Sequence, residues 1–268
     1  MTSNVKPICL ITGASAGIGA ALAREYASHG WDLILTARRK APMEALAGEL
    51  KAEFGTFSHI FTADLFEPGA ADDLLARIKR AGLQIDGLVN NAGYGHPGQY
   101  LESAWDDHAR FIQLMMSVPS ELAYKCAGDM CARGFGRIMN VASLAGHLPG
   151  SRGHTLYAGV KSYLIKFSQS LWMEMDGTGV HVTALCPGFV YTEFHDVNGT
   201  REAMNKLPKY MMMDADICAA LAFKACEDNQ AVVITGRINK FIALLARALP
   251  TKTAQNLMAK NSSKYRKG

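Results

Sequence analysis

Tyr157 and Lys161 stand four positions apart in the segment HTLYAGVKSY, residues 154–163. Side chains at this spacing share one face of a helix, so the phenol and the ammonium are expected to be neighbours. A phenol has an ordinary pKa of about 10, which makes it a poor acid and base at neutral pH, and an adjacent positive charge lowers that pKa. The pair therefore predicts a tyrosine that acts as general acid and base, supported by a lysine. The alternative is an exposed pair that adds roughly tenths of a kcal/mol to helix stability.

Ser143 precedes Tyr157 by fourteen residues and lies at the predicted end of a strand. Its hydroxyl can donate to a substrate oxygen at the place where negative charge grows during a reaction. The three side chains together predict a site in which Ser143 holds the oxygen and Tyr157 exchanges its proton.

A glycine-rich turn joins a strand to an amphipathic helix in the segment ICLITGASAGIGAALAREYASHG, residues 8–30. Gly13, Gly17 and Gly19 allow the backbone to turn tightly and to approach a pyrophosphate at the helix N-terminus. Free N–H groups and the helix dipole favour an anion there. Close packing between strand and helix is the alternative reason for such glycines.

The second predicted strand ends at Ala37 and is followed by Arg38 and Arg39. Proteins that bind NAD usually carry an acidic residue at this place for the ribose 2′-hydroxyl, whereas a guanidinium can pair with a 2′-phosphate. The sequence therefore predicts NADP(H), with Arg38 as the main ligand, while Arg39 either assists or caps the next helix. Asp64, after the third strand, is expected to accept a hydrogen bond from the adenine amino group or to cap a helix.

Short apolar runs alternate with longer helical patterns along the whole chain. This alternation predicts an α/β fold, a single doubly wound parallel sheet of about seven strands flanked by helices. The predicted strands are residues 8–12, 32–37, 58–63, 87–90, 137–142, 181–186 and 232–235, and helical patterns include 18–29, 42–53, 70–80, 104–133 and 156–176. The glycine turn, Arg38, Asp64 and Ser143 each follow a predicted strand end, where ligand-binding loops of such sheets cluster.

Composition narrows the class of protein. With 268 residues, 49% of them hydrophobic and 19% charged, the chain has the makeup of one folded domain and not of a disordered protein. Its longest apolar runs are far shorter than the ~20 residues that cross a bilayer, and the N-terminus lacks the pattern of a secretory signal, so we expect a cytoplasmic protein. Six cysteines without a CxxC pair predict free core thiols, and the scattered histidines imply no metal.

Six segments occur in the order and at about the spacing found in the short-chain dehydrogenase/reductase family, which the chain resembles over roughly residues 8–236. They are TGASAGIG at 12–19, DL at 64–65, NNAG at 90–93, Ser143, YAGVK at 157–161 and PGFVYT at 187–192. The resemblance implies a Rossmann-type sheet of seven strands, a nicotinamide cofactor, and hydride exchange between that cofactor and a carbonyl or alcohol. It also suggests a homodimer or homotetramer.

The same resemblance assigns the site. The implied catalytic residues are Ser143, Tyr157 and Lys161. The implied cofactor-binding residues are Gly13, Ser15, Gly17, Ile18, Gly19, Arg38, Arg39, Asp64, Leu65, Asn91, Ala92, Gly93, Tyr157, Lys161, Pro187, Gly188, Val190 and Thr192. Within this set, Asn91 would stabilise the central strands and border the adenine ribose, while Pro187, Gly188 and Thr192 would line the nicotinamide.

One position departs from the family pattern. The family usually has an asparagine in the long helix after NNAG, where it helps to hold a water in a proton relay behind the lysine, and Met115 takes that position here. A thioether cannot replace an amide, and Ser117 and Gln113 differ from position 115 in helical phase. Pro119, one turn later, is expected to kink this helix.

We therefore interpret the chain as an NADP(H)-dependent oxidoreductase, a ketone or aldehyde reductase that acts on a hydrophobic small molecule. The cofactor favours reduction, because cytosolic NADP pools are usually kept reduced. The alternative is a catalytically impaired NADP(H)-binding regulator or scaffold with the same fold, for which Met115 is the main argument. Substrate contacts are expected from residues 94–96, 144–154 and 189–213, the last resembling the family's substrate lid, with Phe194 and Leu207 among its apolar residues.

The C-terminal segment differs in charge from the rest of the chain. We divide the chain into a catalytic domain, 1–236, and a basic helical extension of the same domain, 237–268. The extension has eight of the 28 Lys and Arg residues and no Asp or Glu, which leaves 20 basic against 24 acidic residues elsewhere. Peripheral contact with an anionic membrane is one hypothesis, and packing of 241–249 on the body or on another subunit is the favoured alternative. Nucleic-acid binding has little support, because the basic stretch is short and nearly free of aromatic residues.

Overall fold

The computed structural model describes residues 6–96, 98–153, 155–192 and 211–262, with side chains described up to residue 257. In chain order the strands are β1 (Ile8–Thr12), β2 (Asp32–Ala37), β3 (Ser58–Thr62), β4 (Gly87–Asn90), β5 (Gly136–Val141), β6 (Val180–Cys186), β7 (Phe189–Val190), β8 (Met212–Met213) and β9 (Val232–Ile234). Seven of them form the central sheet, in which all strands are parallel and the order is β3-β2-β1-β4-β5-β6-β9. The predicted doubly wound fold and its seven sheet strands are confirmed, with strand ends shifted by no more than one residue.

The direction of strand order reverses at β1, which pairs with β2 on one side and β4 on the other. Leu10 lies opposite Ile34 in β2 and opposite Leu88 in β4. Open parallel sheets bind ligands outside the carboxyl ends of their strands at such a switch point. The topology therefore places the residue after β1, Gly13, at the centre of the ligand-binding edge.

Helices cover both faces of the sheet. They are α1 (Gly17–Ser28), α2 (Lys40–Phe54), α3 (Ala70–Arg80), α4 (Trp105–Ile112), α5 (Val118–Arg133), α6 (Thr155–Glu174), α7 (Ala215–Glu227), α8 (Arg237–Ala248) and α9 (Thr251–Ser262). One core cluster joins the sheet to α1, α2 and α7, and another joins it to α3, α4, α5 and α6. Strands β4 and β5 are buried along their full lengths, as expected for strands of a parallel sheet with helices on both faces.

The long helical pattern at 104–133 is interrupted. Residues Gln113–Ser117 form a π-helical turn between α4 and α5, and Pro119 lies in the first turn of α5. Proline has no N–H to donate to the carbonyl four residues earlier, here that of Met115, and its ring is crowded against that carbonyl. The disturbance expected from Pro119 is therefore present as a local widening of the helix.

Strands β7 and β8 form a separate parallel pair, in which Phe189 lies opposite Met212 and Val190 opposite Met213. This pair was not predicted, because two-residue strands leave almost no periodic signal. It ties the start of the predicted lid, 189–213, to its end. Residues 193–210, including Phe194 and Leu207, lie outside the described part of the chain.

All six cysteines are free thiols, and only Cys131 is not fully buried, which confirms the predicted core thiols. Across the described ranges no helix combines the length and apolar character that a membrane span requires.

Candidate active site

The glycine turn after β1 is built for close approach of a ligand. Gly13 and Gly17 have φ values of 66° and 58°, which side chains rarely allow, and a Cβ on Gly19 would overlap the carbonyl oxygen of Gly13. Helix α1 begins at Gly17, and its N-cap residue Ala16 provides no side-chain hydrogen bond. The N–H groups of the first turn are thus left for another acceptor, so the turn fits a pyrophosphate. Ile18, predicted for the cofactor, is half-buried against the core.

Thr12 and Asn91 clamp this turn to the neighbouring strand. Thr12 Oγ1 donates to the Val89 carbonyl at 3.2 Å and accepts from the backbone N–H groups of Asn91 and Ala92, each at 2.9 Å. Asn91 Nδ2 donates to the carbonyl oxygens of Thr12, at 2.9 Å, and Gly13, at 3.2 Å. Asn91 therefore holds the central strands together, as the resemblance implied. Thr12 was missed as a positioning residue, although its place directly before the turn was a usable signal.

Two arginines follow β2 on the side facing the turn. Arg39 Nη2 donates to Ser15 Oγ at 3.3 Å, which links the end of β2 to the glycine turn. The Arg38 guanidinium lies 5.5 Å from the centroid of the Phe66 ring, and Arg110 approaches the same ring at 5.3 Å. These contacts hold positive charge at the predicted position of a ribose 2′-phosphate.

Asp64 follows β3 and organises its own loop. Its Oδ1 accepts from the backbone N–H of Phe66 at 3.1 Å, while Leu65 is buried. The carboxylate thus stabilises a turn and not a helix N-terminus. The predicted bond to adenine stays a prediction.

The loop after β6 meets the loop after β5. The carbonyl of Pro187 accepts from the N–H of Leu144 at 2.8 Å, and Val190 is buried. Thr192 lies beside Gly17, where its Cβ would be 3.1 Å from a Cβ on that glycine. A Cβ on Gly188 would overlap the side chain of Asn239 in α8. The segment predicted to line the nicotinamide, 187–192, therefore contacts the loop after β5 at Leu144 and the glycine turn at Gly17.

Ser143, Tyr157 and Lys161 come together at the carboxyl end of β5. Ser143 caps the short 3-10 helix Leu144–His147, with its Oγ accepting from the N–H of Ala145 at 3.1 Å, and it is hydrogen-bonded to the Tyr157 side chain. The Lys161 ammonium lies 5.7 Å from the centroid of the Tyr157 ring. The predicted i,i+4 pair is thus on the inner face of α6, with Lys161 buried. This geometry does not match an exposed surface pair.

Burial sets the proton affinities of this group. It raises the pKa of Tyr157 above its ordinary value, and the hydrogen bond with Ser143 offsets part of that effect. From the Tyr-Lys spacing we expect a lowered phenol pKa, and this expectation is wrong for the protein alone. Burial removes the phenolate from water, and this effect on the pKa is larger than the opposing effect of the hydrogen bond with Ser143. Burial also lowers the pKa of Lys161 to about 8, with a smaller opposing effect of Cys186.

A chain of buried hydrogen bonds positions α6 against the sheet. Asn90 Nδ2 donates to Asn140 Oδ1 at 2.9 Å and to the Pro119 carbonyl at 3.1 Å. Asn140 Nδ2 donates to Ser168 Oγ at 2.9 Å, and Ser168 donates to the Leu164 carbonyl at 2.7 Å. The chain runs from β4 through β5 to the helix that carries Tyr157. These residues were not predicted for the site, though polar side chains inside apolar runs were a signal.

A small cavity lies behind Lys161. It is lined by Thr12, Asn90, Ala92, Leu114, Met115, Val118, Pro119, Val141, Lys161 and Leu164. About 10 Å³ is open to the centre of a water molecule, which is room for about one. Asn90 Oδ1 is buried and has no hydrogen-bond partner among the described residues. The buried Met115 side chain contributes only apolar surface, and its sulfur would lie 2.9 Å from a Cβ on Gly93.

Several residues expected near the substrate have other partners. The Tyr94 ring packs edge-on against Phe66 and Phe111, and His96 Nε2 lies 3.0 Å from Ser103 Oγ. Burial lowers the pKa of His147, as does the nearby positive charge of Lys166. His154 lies outside the described residues, and within the described ranges no group of three His, Cys, Asp or Glu side chains could hold a metal ion.

Comparisons with known proteins support the fold and identify the family. A model of the short chain dehydrogenase family matches residues 7–203. The oxidoreductase UcpA of Escherichia coli (strain K12) is 35% identical over 183 residues, which are 68% of this chain and 69% of UcpA. Among solved structures, a short-chain dehydrogenase from Sphingobium yanoikuyae in complex with NADPH has a TM-score of 0.79 and 31% identity, with 94% of both chains covered. The bulky-bulky ketone specific alcohol dehydrogenase from Comamonas testosteroni has a TM-score of 0.76 and 28% identity, covering 94% of this chain and 93% of that one. From the match of the family model and the identity to UcpA, the chain belongs to the short-chain dehydrogenase family.

Proposed function

We propose that the protein is an NADP(H)-dependent oxidoreductase that reduces the carbonyl group of a hydrophobic ketone or aldehyde. The observation that carries the proposal is the convergence of Ser143, Tyr157 and Lys161 at one strand end, on the same sheet edge as a glycine turn that fits a pyrophosphate. A bound nicotinamide supplies the hydride. The protein's own residues then have to hold the substrate oxygen and deliver a proton to it.

Tyr157 is the proton donor in this proposal. Its phenol is protonated at neutral pH, so a proton is available for an oxygen that gains negative charge. Ser143 donates a hydrogen bond to the same oxygen and fixes it within reach of Tyr157. Once Tyr157 has given up its proton, the ammonium of Lys161 stabilises the phenolate.

The cavity behind Lys161 provides the return path for the proton. A water there can accept a hydrogen bond from Lys161 and donate to Asn90 Oδ1, which is buried and otherwise lacks a described partner. Asn90 would in this way supply the polar contact that Met115 cannot, because a thioether sulfur is a weak acceptor and no donor. Substitution of the usual asparagine by Met115 would then leave proton delivery intact.

The preference for NADP(H) rests on charge. Arg38 and Arg39 follow β2, and no acidic side chain occupies the strand end at Ala37. The S. yanoikuyae relative was solved with NADPH, which supports the same choice. A cytoplasmic location would fit reduction, since NADP is usually kept reduced there.

The substrate class rests on apolar residues near the catalytic loops. Phe189 and Met212–Met213 form the described ends of the predicted lid, and they are only partly buried. The C. testosteroni relative is a bulky-bulky ketone specific alcohol dehydrogenase. We propose a hydrophobic ketone of similar kind, and a homodimer or homotetramer as the working assembly.

Oxidation of NADPH in the presence of a panel of hydrophobic ketones and aldehydes tests the function. The native protein is expected to turn over part of the panel, and Tyr157→Phe to lose turnover by about 100-fold or more while still binding NADPH. Tight NADPH binding without turnover, unchanged in Tyr157→Phe, would instead identify a regulator or scaffold. Light scattering of the native protein in solution gives the subunit number.

A further inference from the structure

Helix α8 presents an unusual apolar face to solvent. Phe241 and Leu244 are each 65% exposed, Ile238 is 42% exposed and Leu245 is 39% exposed. At 3.6 residues per turn these four side chains fall within an arc of roughly 120°. A contiguous group of large apolar side chains outside the core marks an interaction surface more often than scattered single ones do.

The opposite face of α8 is fixed to the protein body. Ala243 is buried, and Asn239 Nδ2 donates to the Thr235 carbonyl at 2.7 Å. The Asn239 side chain occupies the space that a Cβ on Gly188 would need. The helix is therefore held in one orientation, and its apolar arc remains directed outward.

Positive charge borders the arc. Arg237, Lys240 and Arg247 are exposed on α8, and Lys240 and Arg247 project from the same edge of it. The sequence from 237 to 268 contains eight basic residues and no acidic one. A surface that combines exposed apolar groups with uncompensated cations matches the interface of an anionic bilayer, where apolar groups enter the acyl region and cations meet headgroups.

The arc continues into a groove beside the catalytic loop. Leu245 belongs both to the arc and to a groove of about 130 Å³, in which Leu257 of α9 also takes part. Leu148 and Pro149 form its other side, and they follow the short helix that Ser143 caps. The apolar surface therefore extends from α8 toward the side of the protein that holds Ser143.

We propose that this surface, formed by Ile238, Phe241, Leu244 and Leu245 with Lys240 and Arg247, docks the protein on an anionic lipid surface. Docking places the groove next to the bilayer, so that a hydrophobic molecule dissolved in lipid can reach the catalytic loop. Attachment is peripheral and depends on salt, because screening weakens the attraction between the cations and the headgroups. It does not depend on the proposed reaction.

A second copy of the chain is the competing occupant. In an isologous dimer the same patch meets itself, and because 237–268 has no Asp or Glu, the patch of one subunit would offer no acidic partner to Lys240 and Arg247 of the other. Like charges brought together in this way oppose association. Charge complementarity therefore favours the lipid surface.

Co-sedimentation of the full chain with vesicles tests the proposal. We expect binding to vesicles of phosphatidylcholine mixed with phosphatidylserine, little binding to phosphatidylcholine alone, and release by high salt. The double variant Lys240→Glu/Arg247→Glu is expected to weaken binding by at least about tenfold, since each basic residue near the surface contributes appreciably. Phe241→Ser/Leu244→Ser should weaken it similarly at low salt.

Control variants at other exposed positions show whether a loss of vesicle binding is specific to the patch or results from any change of surface charge or apolar area. Lys79→Glu/Arg80→Glu makes the same charge change at exposed positions on α3, and Leu101→Ser removes a 92% exposed leucine elsewhere. Both should bind vesicles like the native protein, and circular dichroism shows that each variant is folded. Absence of vesicle binding at low salt, or equal losses in patch and control variants, overturns the proposal. A third outcome also overturns it: the native protein does not bind vesicles, and Phe241→Ser/Leu244→Ser forms a smaller oligomer than the native protein. That result would show that the patch contacts a second copy of the chain. NADPH oxidation is measured in a separate assay. Failure of the membrane proposal therefore does not affect the proposed reductase function, and failure of the reductase function does not affect the membrane proposal.

Discussion

Lys161 Nζ donates to the backbone carbonyl of Val141 at 2.7 Å, which fixes the ammonium to the end of strand β5. The same ammonium lies 5.7 Å from the centroid of the Tyr157 ring. Lys161 is therefore held in place by the sheet. The cost of this arrangement is the burial of a charged group, which lowers the pKa of Lys161 to about 8.

The lowered Lys161 pKa predicts a characteristic pH dependence of stability. Between pH about 8 and 10.5 the unfolded chain binds a proton at Lys161 that the folded protein has lost, so the free energy of unfolding rises with pH across that window. Below about 8 both states are protonated and the burial cost is fully present. Between pH about 8 and 10.5, the free energy of unfolding of the native protein should rise by up to about 3 kcal/mol relative to that of Lys161→Met. Urea unfolding at a series of pH values measures both. Parallel curves for the two proteins would contradict a buried ammonium.

Native turnover should also fall above pH about 8, as the ammonium of Lys161 is lost.

Ser143→Ala removes a hydroxyl that bonds the Tyr157 phenol and would hold the substrate oxygen. We expect kcat to fall by about 100-fold to 1,000-fold, in the range seen when one such donor is removed. Because the bond to Ser143 lowers the pKa of Tyr157, its loss should move the rise of alcohol oxidation with pH, which follows deprotonation of the phenol, to higher pH. Ser170→Ala, at an exposed position on the same helix as Tyr157, serves as the control. A rate loss without any pH shift would show that Ser143 does not act on the phenol.

Arg38→Gln tests the choice of nucleotide. Loss of a charge-assisted bond to the 2′-phosphate should raise the Kd for NADPH by about 10-fold to 100-fold and leave the Kd for NADH nearly unchanged. Fluorescence titration measures both, and Arg77→Gln on α3 is the control. Equal weakening of NADPH and NADH would mean that Arg38 acts by supporting Phe66 and not by binding phosphate.

The Asn90–Asn140–Ser168 chain should contribute measurably to stability. Asn140→Leu leaves Asn90 Nδ2 and Ser168 Oγ each without one partner, at an expected cost of about 1–3 kcal/mol in the free energy of unfolding. Ser168→Ala removes the contact with Asn140 and the bond to the Leu164 carbonyl, while Asn90 keeps its partner, so it should cost a similar amount. Urea unfolding of both variants measures the two costs. Equal stability of Asn140→Leu and the native protein would show that the chain does not hold α6 in place.

Much of the sheet and the nucleotide-binding edge was predictable from sequence, because their signals are local. A buried strand such as β1, ICLIT, is a short and largely apolar run, and the glycine turn is a spacing within seven residues. The contact between Asn90 and Asn140 joins residues fifty positions apart, and no local pattern encodes it. Sequence also could not give the direction of the Tyr157 pKa shift, since that depends on burial by distant parts of the chain.

Gly19 and Gly48 allow a paired test of what the glycine turn is for. A Cβ on Gly19 would overlap the backbone oxygen of Gly13, which cannot move without opening the turn. Gly19→Ala should therefore lower the stability and weaken NADPH binding by at least about tenfold, because the helix N-terminus no longer lies against the phosphate site. Gly48 lies exposed inside α2 with nothing within 4 Å of its added Cβ. Gly48→Ala should raise the free energy of unfolding by about 0.5–1 kcal/mol and leave NADPH binding unchanged. Thermal unfolding and fluorescence titration of both variants measure the two effects. If Gly19→Ala kept native affinity, the turn would serve only the packing of α1 on β1, and the pyrophosphate would have to bind elsewhere.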